Sequence, residues 1–159
     1  MNAEIAVRPA RFEELEAVNR LRRMVNDLHC QGRPDIFRPG FGEALQNHLF
    51  EHYGRDSRGV LVAVSEDEVA GFAMVEVIDR PESPYNLARS FYHVVEFGVD
   101  ERFRRRGVAT ALVDYMRRDA RERGLARVEL DAWAFNEGAL AFYARAGFKT
   151  FRYFMELDA

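Results

Sequence analysis

The segment VEFGVDERFRRRGVATALVDYM, residues 95–116, contains the end of a strand, a charged turn and the start of a helix, in that order. Residues 91–99 form a mostly apolar run, which is typical of a buried strand. After the charged turn at residues 100–106, apolar side chains recur at spacings of three and four residues, which predicts an amphipathic helix. The segment therefore predicts a strand, a turn and a helix that follow one another directly.

The junction between the turn and the helix is suited to binding an anion. The first backbone N–H groups of a helix have no intrahelical acceptor and lie at the positive end of the helix dipole. Gly107 permits a tight turn and lets a ligand approach the backbone closely. A phosphate group is the ligand that such a site favours. The segment lacks the Gly-Lys-Ser/Thr end of a Walker loop and the three spaced glycines of a dinucleotide fingerprint, so neither common nucleotide motif explains it. Taken alone, its arginines are also compatible with a solvated basic turn or an RNA-binding patch.

Two blocks of the sequence resemble the GNAT N-acetyltransferases. The first, Arg104-Arg-Arg-Gly-Val-Ala109, is similar to the pyrophosphate loop of that family, Gln/Arg-x-x-Gly-x-Gly/Ala. The second, residues 128–148, is similar to a motif made of a strand, an Asn, a helix that carries Phe-Tyr, and a Gly-Phe pair. The two blocks come in the family's order and are separated by one predicted helix. The chain is therefore identified as a member of this family.

The resemblance implies acetyl-CoA as the cofactor, with CoA as the product. The turn and the first helical residues would hold the pyrophosphate, and the pantetheine arm would pair with the preceding strand as if it were another strand. The resemblance also implies that Asn136 contacts the pantetheine region, while an Asn at this position equally favours a helix N-cap. The cofactor-binding residues that follow from the resemblance are Phe97, Gly98, Val99, Arg104, Arg105, Arg106, Gly107, Val108, Ala109, Thr110 and Asn136.

Tyr143 occupies the position of the family's general acid. A phenol with an ordinary pKa of about 10 can donate a proton to a thiolate whose acid has a pKa of about 8.5. The alternative role is that of a core aromatic, because its neighbours Leu140 and Phe142 are also apolar. A backbone N–H of the central strand would donate to the thioester oxygen.

The residue that deprotonates the acceptor amine is left open between two candidates. His93 and Glu96 are the titratable side chains of the central strand, and by resemblance both stand where relatives carry an acidic catalytic group. Their odd spacing places them on opposite faces of a regular strand, although a bulge would change this. The sequence favours Glu96, and a water relay to either residue, or to Glu129 or Asp131, is a further alternative. Glu96 is otherwise a buried carboxylate held by Arg89 or another arginine.

Two irregular stretches, residues 29–39 and 80–90, stand where the family places acceptor-binding loops, and loops commonly carry specificity. The first predicts an acceptor pocket lined by His29, Asp35 and Phe37. The alternative is that its apolar side chains plug the core while its prolines stiffen the turn.

Composition narrows the class of protein. The 159 residues suit one domain, and a net charge of −3 argues against a general nucleic-acid binder. Cys30 is the single cysteine, which excludes an internal disulfide and a cysteine-only metal site, and no metal is expected. The sequence shows no signal peptide and no apolar run of the roughly 20 residues that a membrane span needs, so we expect a cytoplasmic protein with no membrane partner.

The resulting fold class is α/β: the GNAT fold, with a mixed, mostly antiparallel sheet flanked by helices. The predicted order is β-α-α-β-β-β-α-β-α-β within a single domain, residues 1–159. The resemblance further implies that the fourth and fifth strands splay apart and leave a gap for the thioester. The predicted strands are residues 4–9, 60–64, 69–78, 91–99, 126–132 and 149–157, and the predicted helices are residues 12–28, 41–53, 105–123 and 136–146.

The expected activity is N-acetylation of a primary amine of a small molecule, by direct attack on acetyl-CoA in a ternary complex. A protein Lys or N-terminus as the acceptor, a longer acyl donor, and a non-catalytic acyl-CoA-binding module are the alternatives. The resemblance further implies a homodimer, in which the aromatic C-terminal strands, with Phe151, Tyr153 and Phe154, would pair.

Overall fold

The computed structural model describes residues 4–159, which form a five-stranded sheet with helices on both faces. Neighbouring strands pair in chain order; the first three pairings are antiparallel and that of β4 with β5 is parallel. The strands are β1 Ala6–Pro9, β2 Val60–Ser65, β3 Glu68–Arg80, β4 Arg89–Val99 and β5 Val128–Leu130. The α-helices are α1 Leu15–Gly32, α2 Glu43–Arg55, α3 Val108–Glu122 and α4 Glu137–Arg145, and short 3-10 helices lie at Phe12–Glu14, Ser57–Gly59 and Glu101–Phe103. The mixed, mostly antiparallel sheet confirms the predicted fold class.

Two apolar cores cover the two faces of the sheet. Successive side chains of β2 point to opposite faces and so contribute to both cores: Val60 and Val62 face α1 and α2, whereas Leu61 and Ala63 face α3. The α3 side also receives Leu112 of α3, which is fully buried. The sheet is therefore covered by helices on both faces.

A β-bulge in β4 changes the predicted orientation of the two candidate bases. Met74 of β3 pairs with Glu96, whereas the next residue, Val75, pairs with Val94, so Val95 is the extra residue of the bulge. Because the bulge shifts the side-chain alternation by one residue, His93 and Glu96 lie on the same face of the sheet, towards α1. The opposite-face arrangement of a regular strand is therefore wrong for this pair.

The predicted gap between the fourth and fifth strands is present. The strands β4 and β5 pair only at residues 92–94 and 128–130. Beyond Val94, the edge of β4 that faces β5 has no strand partner within residues 4–159. The backbone of residues 95–99 is therefore open along that edge.

Two predicted helix boundaries are wrong for identifiable reasons. Helix α1 continues to Gly32, so His29 lies on a helix and not in a loop. It ends at Arg33, with φ −138°, because Pro34 disfavours the helical conformation of the residue before it. Helix α3 begins at Val108 and not at residue 105, because Arg105 and Gly107 have left-handed φ values of +59° and +88°.

The predicted strand at residues 149–157 is not formed. Residues 149–159 contain neither helix nor strand, and their side chains are exposed. A strand requires a hydrogen-bonded partner, and this segment does not pair with β5. Each of its large apolar side chains is at least 67% exposed: Phe151, Tyr153, Phe154, Met155 and Leu157. None of the helices in residues 4–159 is long and apolar enough to span a membrane.

Candidate active site

The N-terminus of α3 is a free set of backbone donors. The first helical hydrogen bond runs from the Ala111 N–H to the Gly107 carbonyl at 2.9 Å, and no side chain caps this end. Residues 105–107 donate no backbone hydrogen bond to any described residue, and residues 108–110 precede the first intrahelical donor. The N–H groups of residues 105–110 are therefore available to an anion. The φ of +88° confirms that Gly107 provides the tight turn.

The arginines of the turn are less available than the sequence suggests. Arg104 lies 3.5 Å from Glu101, and Arg106 forms a 2.9 Å ion pair with Glu66. Arg105 is exposed, and no carboxylate in residues 4–159 lies within ion-pair distance of it. An anion at this turn would accordingly be held mainly by backbone N–H groups, with Arg105 as the side chain that is free to join them.

The open edge of β4 lies beside α4. Phe97 points to the α4 side, where its ring lies 6.1 Å from Phe142 and 6.1 Å from Tyr143. Gly98 points to the other side, where a Cβ atom would lie 2.8 Å from both Phe72 and Val25. Packing against α1 therefore requires a glycine at this position, independently of any cofactor.

Tyr143 is largely enclosed by aromatic rings. Its ring contacts Phe97 and lies 5.5 Å from Phe148. Burial raises the pKa of Tyr143 to about 12, so the phenol is protonated throughout the neutral range. No hydrogen bond to its hydroxyl is formed by the described part of the chain. The hydroxyl is therefore a protonated donor without a partner of its own.

Asn136 caps α4. Its side-chain oxygen accepts a hydrogen bond of 3.2 Å from the Ala139 N–H. The N-cap role that the sequence offered as an alternative is thus confirmed. This bond uses one lone pair of the side-chain oxygen and leaves the amide donors free.

Glu96 is held by a buried arginine of α1. Arg22, only 3% exposed at its side chain, donates from Nε and Nη2 to the two carboxylate oxygens of Glu96 at 2.7 and 2.9 Å. The second η nitrogen donates to Asn19 at 2.8 Å and to the Leu45 carbonyl at 2.6 Å. The sequence offered Arg89 or another arginine as the partner of this carboxylate, and the partner is Arg22. Only the folding of α1 onto β4 selects Arg22, because the two residues are 74 positions apart.

The other titratable groups near the strand are also paired. His93 Nδ1 lies 3.0 Å from Glu76 on the adjacent strand. Arg89, the arginine named from the sequence, instead forms a two-point ion pair with Glu129. Asp131 is exposed, beyond the end of β5.

An aromatic cluster joins the end of α1 to the segment after β5. The His29 ring stacks on Phe37 at 5.1 Å, and Phe37 meets Trp133 edge-on at 5.1 Å. Phe135 lies 6.1 Å from Trp133 and 6.3 Å from His29. The structure thus brings His29 and Phe37, two of the three residues predicted to line an acceptor pocket, into contact. We call these four residues, His29, Phe37, Trp133 and Phe135, the aromatic cluster.

The remaining predicted acceptor residue lies apart from the rings. Asp35 forms an exposed ion pair with Arg33, at 2.8 Å, and Arg33 also binds Glu156 at 2.8 Å. Trp133 and Phe135 were missed by the sequence reasoning. The signal that could have found them is the aromatic pair at alternate positions between the predicted strand and Asn136.

Comparisons with known proteins bear on the family and the fold of the chain. The model of the acetyltransferase (GNAT) family matches residues 22–148. The L-amino acid N-acetyltransferase AaaT of Escherichia coli is 29% identical over 164 residues, which cover 92% of this chain and 84% of that protein. A mutant of the BH1408 protein from Bacillus halodurans has a similar structure, with a TM-score of 0.89, 25% identity and coverage of 97% and 99% of the two chains. The fold is also that of AAC(6')-Iy, solved with the bisubstrate analog CoA-S-monomethyl-acetylneamine, with a TM-score of 0.75, 18% identity and 99% coverage of both chains.

Proposed function

The chain belongs to the GNAT family of acetyltransferases, with acetyl-CoA as the donor, and on this premise we propose that it acetylates the primary amine of a small molecule. The amine attacks the thioester directly while both substrates are bound. The observation that carries the proposal is the juxtaposition of two open backbone surfaces. These are the free N–H groups before and within the first turn of α3, and the unpaired edge of β4 beside α4.

The cofactor would lie along these two surfaces. The N–H groups of residues 105–110 and the Arg105 side chain would bind the pyrophosphate, because a helix N-terminus favours an anion. The pantetheine amides would hydrogen-bond the free edge at residues 97–99, as an added strand does. The thioester then reaches the gap between β4 and β5. A free N–H of the bulged part of β4 would donate to its carbonyl oxygen as negative charge develops.

Tyr143 would stabilise the departing sulfur. Since its pKa is about 12, the phenol stays protonated and can always donate a hydrogen bond. Complete transfer to a thiolate, whose acid has a pKa of about 8.5, is uphill, so the proton would move only as the C–S bond breaks. The hydroxyl has no partner in the described part of the chain, which leaves it free for the sulfur.

The two candidate bases that the sequence named, Glu96 and His93, both lie on the strand β4. Glu96 and His93 now lie on one face, and both are engaged, by Arg22 and Glu76 respectively. Either could act through a water molecule, since each carboxylate or imidazole keeps lone pairs or ring nitrogens beyond its present bond.

The size of the aromatic cluster favours a small acceptor. Its rings connect α1 to the segment after β5, with His29 and Phe135 6.3 Å apart. Arg33, which is paired with Glu156, lies over the Trp133 ring at one side of the cluster. The E. coli relative is named for L-amino acids, which are small primary amines. A peptide Lys or N-terminus would need a groove that extends beyond these rings.

A panel of acceptors tests the proposal. We would measure release of the CoA thiol from acetyl-CoA with amino acids, polyamines and amino sugars, and with Lys-containing and free N-terminal peptides. We expect turnover with at least one small amine at a higher kcat/KM than with any peptide. Activity on peptides alone would contradict the small-molecule acceptor, and cofactor binding without any turnover would favour the non-catalytic module. Propionyl-CoA in the same assay tests the donor.

We also propose that the protein forms a homodimer through residues 149–158. In residues 4–159, β5 is an edge strand, and the exposed C-terminal segment carries the apolar side chains that a paired strand would cover. A cavity of about 280 Å³ adjoins β5 and is lined by Arg117, Arg121 and Arg127. The segment of a second copy, running antiparallel to β5, would bring Asp158 towards these arginines.

Light scattering after size-exclusion chromatography tests the dimer. We expect a dimer mass for the wild type and a monomer mass for Phe154→Asp, which puts a charge into the paired segment. Tyr85→Asp is the matched control, because Tyr85 is 94% exposed but lies on the loop between β3 and β4. A monomeric wild type would contradict the dimer.

A further inference from the structure

The side chains predicted to act as base have their bonding capacity partly occupied. Arg22 donates hydrogen bonds to both carboxylate oxygens of Glu96, and one ring nitrogen of His93 is hydrogen-bonded to the Glu76 carboxylate. A base that accepts the amine proton directly needs a lone pair that faces the acceptor. The α1 face of the gap holds a third titratable side chain, His29, whose geometry differs from both.

Helix α1 carries His29 across the gap between β4 and β5. Val25 touches β4, because a Cβ on Gly98 would lie 2.8 Å from it. Two turns later, Gly32 touches the segment after β5, because a Cβ there would lie 2.3 Å from Phe135. The seven residue steps from Val25 to Gly32 span about 10 Å of helix, which bridges the two separated strands. His29 lies within this span, four residues after Val25 and three before Gly32, and therefore on the same helix face as both contacts.

The imidazole of His29 is held by packing and not by hydrogen bonds. Phe37 stacks on one side of it and Phe135 meets it edge-on, which restricts the ring orientation. Within the part of the chain that the structure describes, neither ring nitrogen has a hydrogen-bond partner. A packed imidazole with a free lone pair is the arrangement that a general base requires.

Burial keeps His29 neutral until it receives a proton, and the nearby charge acts in the opposite direction. Burial lowers the pKa of His29, and the Glu96 carboxylate raises it by a smaller amount. The neutral form therefore predominates at neutral pH, while Glu96 stabilises the imidazolium once it has formed. The other charged groups near the cluster are already paired with one another: Arg33 with Asp35 and Glu156.

We propose that His29 is the general base that accepts the proton of the acceptor ammonium, with Glu96 as the charge that stabilises the resulting imidazolium. The proposal rests on the acetyltransferase function proposed above. One proton passes from the ammonium to a His29 ring nitrogen, and the neutral amine forms the C–N bond with the thioester carbonyl carbon. The C–S bond then breaks, and the second amine proton reaches the sulfur by way of Tyr143. His29 returns its proton to solvent, which completes the balance of amide, CoA thiol and one proton.

The pH dependence of kcat for His29→Gln is the test, with the best acceptor found in the amine and peptide panel. In the wild type, kcat should be independent of pH above the pKa of His29, which lies below the ordinary value of about 6.5. Without it, only pre-formed neutral amine reacts, so kcat should rise about tenfold per pH unit towards the amine pKa of about 10.4. At pH 7 we expect a loss of about 100- to 10,000-fold, with the KM for acetyl-CoA unchanged. The matched control is His48→Gln, an exposed histidine on α2, which should keep the wild-type profile.

Chemical rescue separates catalysis from packing. In His29→Ala, added imidazole should restore part of kcat, and a series of methylated imidazoles should restore it in proportion to their basicity. A role in packing alone would give rescue that follows the size of the added base and not its pKa.

The outcomes distinguish the two proposals. A wild type without turnover on any amine would remove the proposed function and this inference together. A wild type with turnover whose His29→Gln variant keeps the wild-type pH profile, at either full or uniformly reduced kcat, would overturn only the role of His29. A pH profile that gains a slope of one, together with rescue that follows basicity, would support it.

Discussion

Replacement of Glu96 by Gln tests how the buried arginine of α1 is neutralised. Arg22 has its side chain 3% exposed, and Glu96 supplies its only charged contact within residues 4–159. Glu96→Gln removes the negative charge and places an amide donor against a guanidinium donor, at contacts now 2.7 and 2.9 Å long. Breaking a buried ion pair by removing one partner costs about 3–5 kcal/mol.

The expected loss is smaller than that range. The Glu96 side chain is 28% exposed, so water already solvates part of the pair, and we expect a loss of about 2–3 kcal/mol in the free energy of unfolding. For a chain of this length, each 1 kcal/mol lowers Tm by about 2–4 °C, which gives a fall of about 4–12 °C. Urea unfolding followed by far-ultraviolet circular dichroism measures the free energy, and the fluorescence of Trp133, the single tryptophan, reports on the aromatic cluster.

Two controls make the result specific. Glu76→Gln is the same substitution on the same face of the sheet, but the Glu76 side chain is 42% exposed, so its loss should stay within about 1 kcal/mol. The double variant Arg22→Met with Glu96→Leu should recover part of the stability, since paired apolar replacement of a buried ion pair is often neutral, whereas Asn19 and the Leu45 carbonyl lose their donor. An unchanged Tm and an unchanged free energy of unfolding for Glu96→Gln would refute the reasoning.

Three further predictions concern single side chains. Tyr143→Phe should lower kcat by about 10- to 10,000-fold. Stability and cofactor affinity should change little, because the hydroxyl has no hydrogen-bond partner in residues 4–159. Full turnover would mean that water is the acid. Because burial lowers the pKa of His29, the folded state binds fewer protons than the unfolded chain below about pH 6.5, and the free energy of unfolding should therefore fall as the pH decreases through that region. His29→Gln should reduce this pH dependence, which urea titrations at several pH values would measure. Asn136→Ala should lower the free energy of unfolding by about 0.5–2 kcal/mol, because α4 loses its N-cap, whereas Asn136→Ser should keep the cap. A loss of acetyl-CoA affinity in the Ser variant would therefore measure the contact between the Asn136 amide and the cofactor.

Much of the fold follows from local patterns in the sequence. The apolar run at residues 91–99 and the helical spacing after Gly107 give β4 and α3, because burial on one face imposes these periodicities. Asn136 marks the start of α4 as an N-cap should. The helix start at Val108 was harder to predict, because it depends on the left-handed backbone of Arg105 as well as that of Gly107.

The site depends more on tertiary contacts. The bulge at Val95 places His93 and Glu96 on one face, and nothing in the local sequence marks it. The choice of Arg22 as the partner of Glu96 follows from the path of α1 over β4. The failure of residues 149–157 to form a strand has a similar origin, because strand propensity is realised only where a partner strand is present.

The central claim is that the N-terminus of α3 binds the pyrophosphate of acetyl-CoA, and calorimetric titration of two glycine variants with acetyl-CoA tests it most directly. Gly107→Asp and Gly124→Asp each place a side chain at a left-handed position, with φ of +88° and +74°, at opposite ends of α3, and neither new Cβ would meet an atom closer than 3.8 Å. The backbone strain is therefore similar, but only the first variant puts a carboxylate among the free N–H groups. We predict that the wild type and Gly124→Asp bind acetyl-CoA and that Gly107→Asp does not. Equal binding by all three proteins, or no binding by the wild type, would contradict the claim.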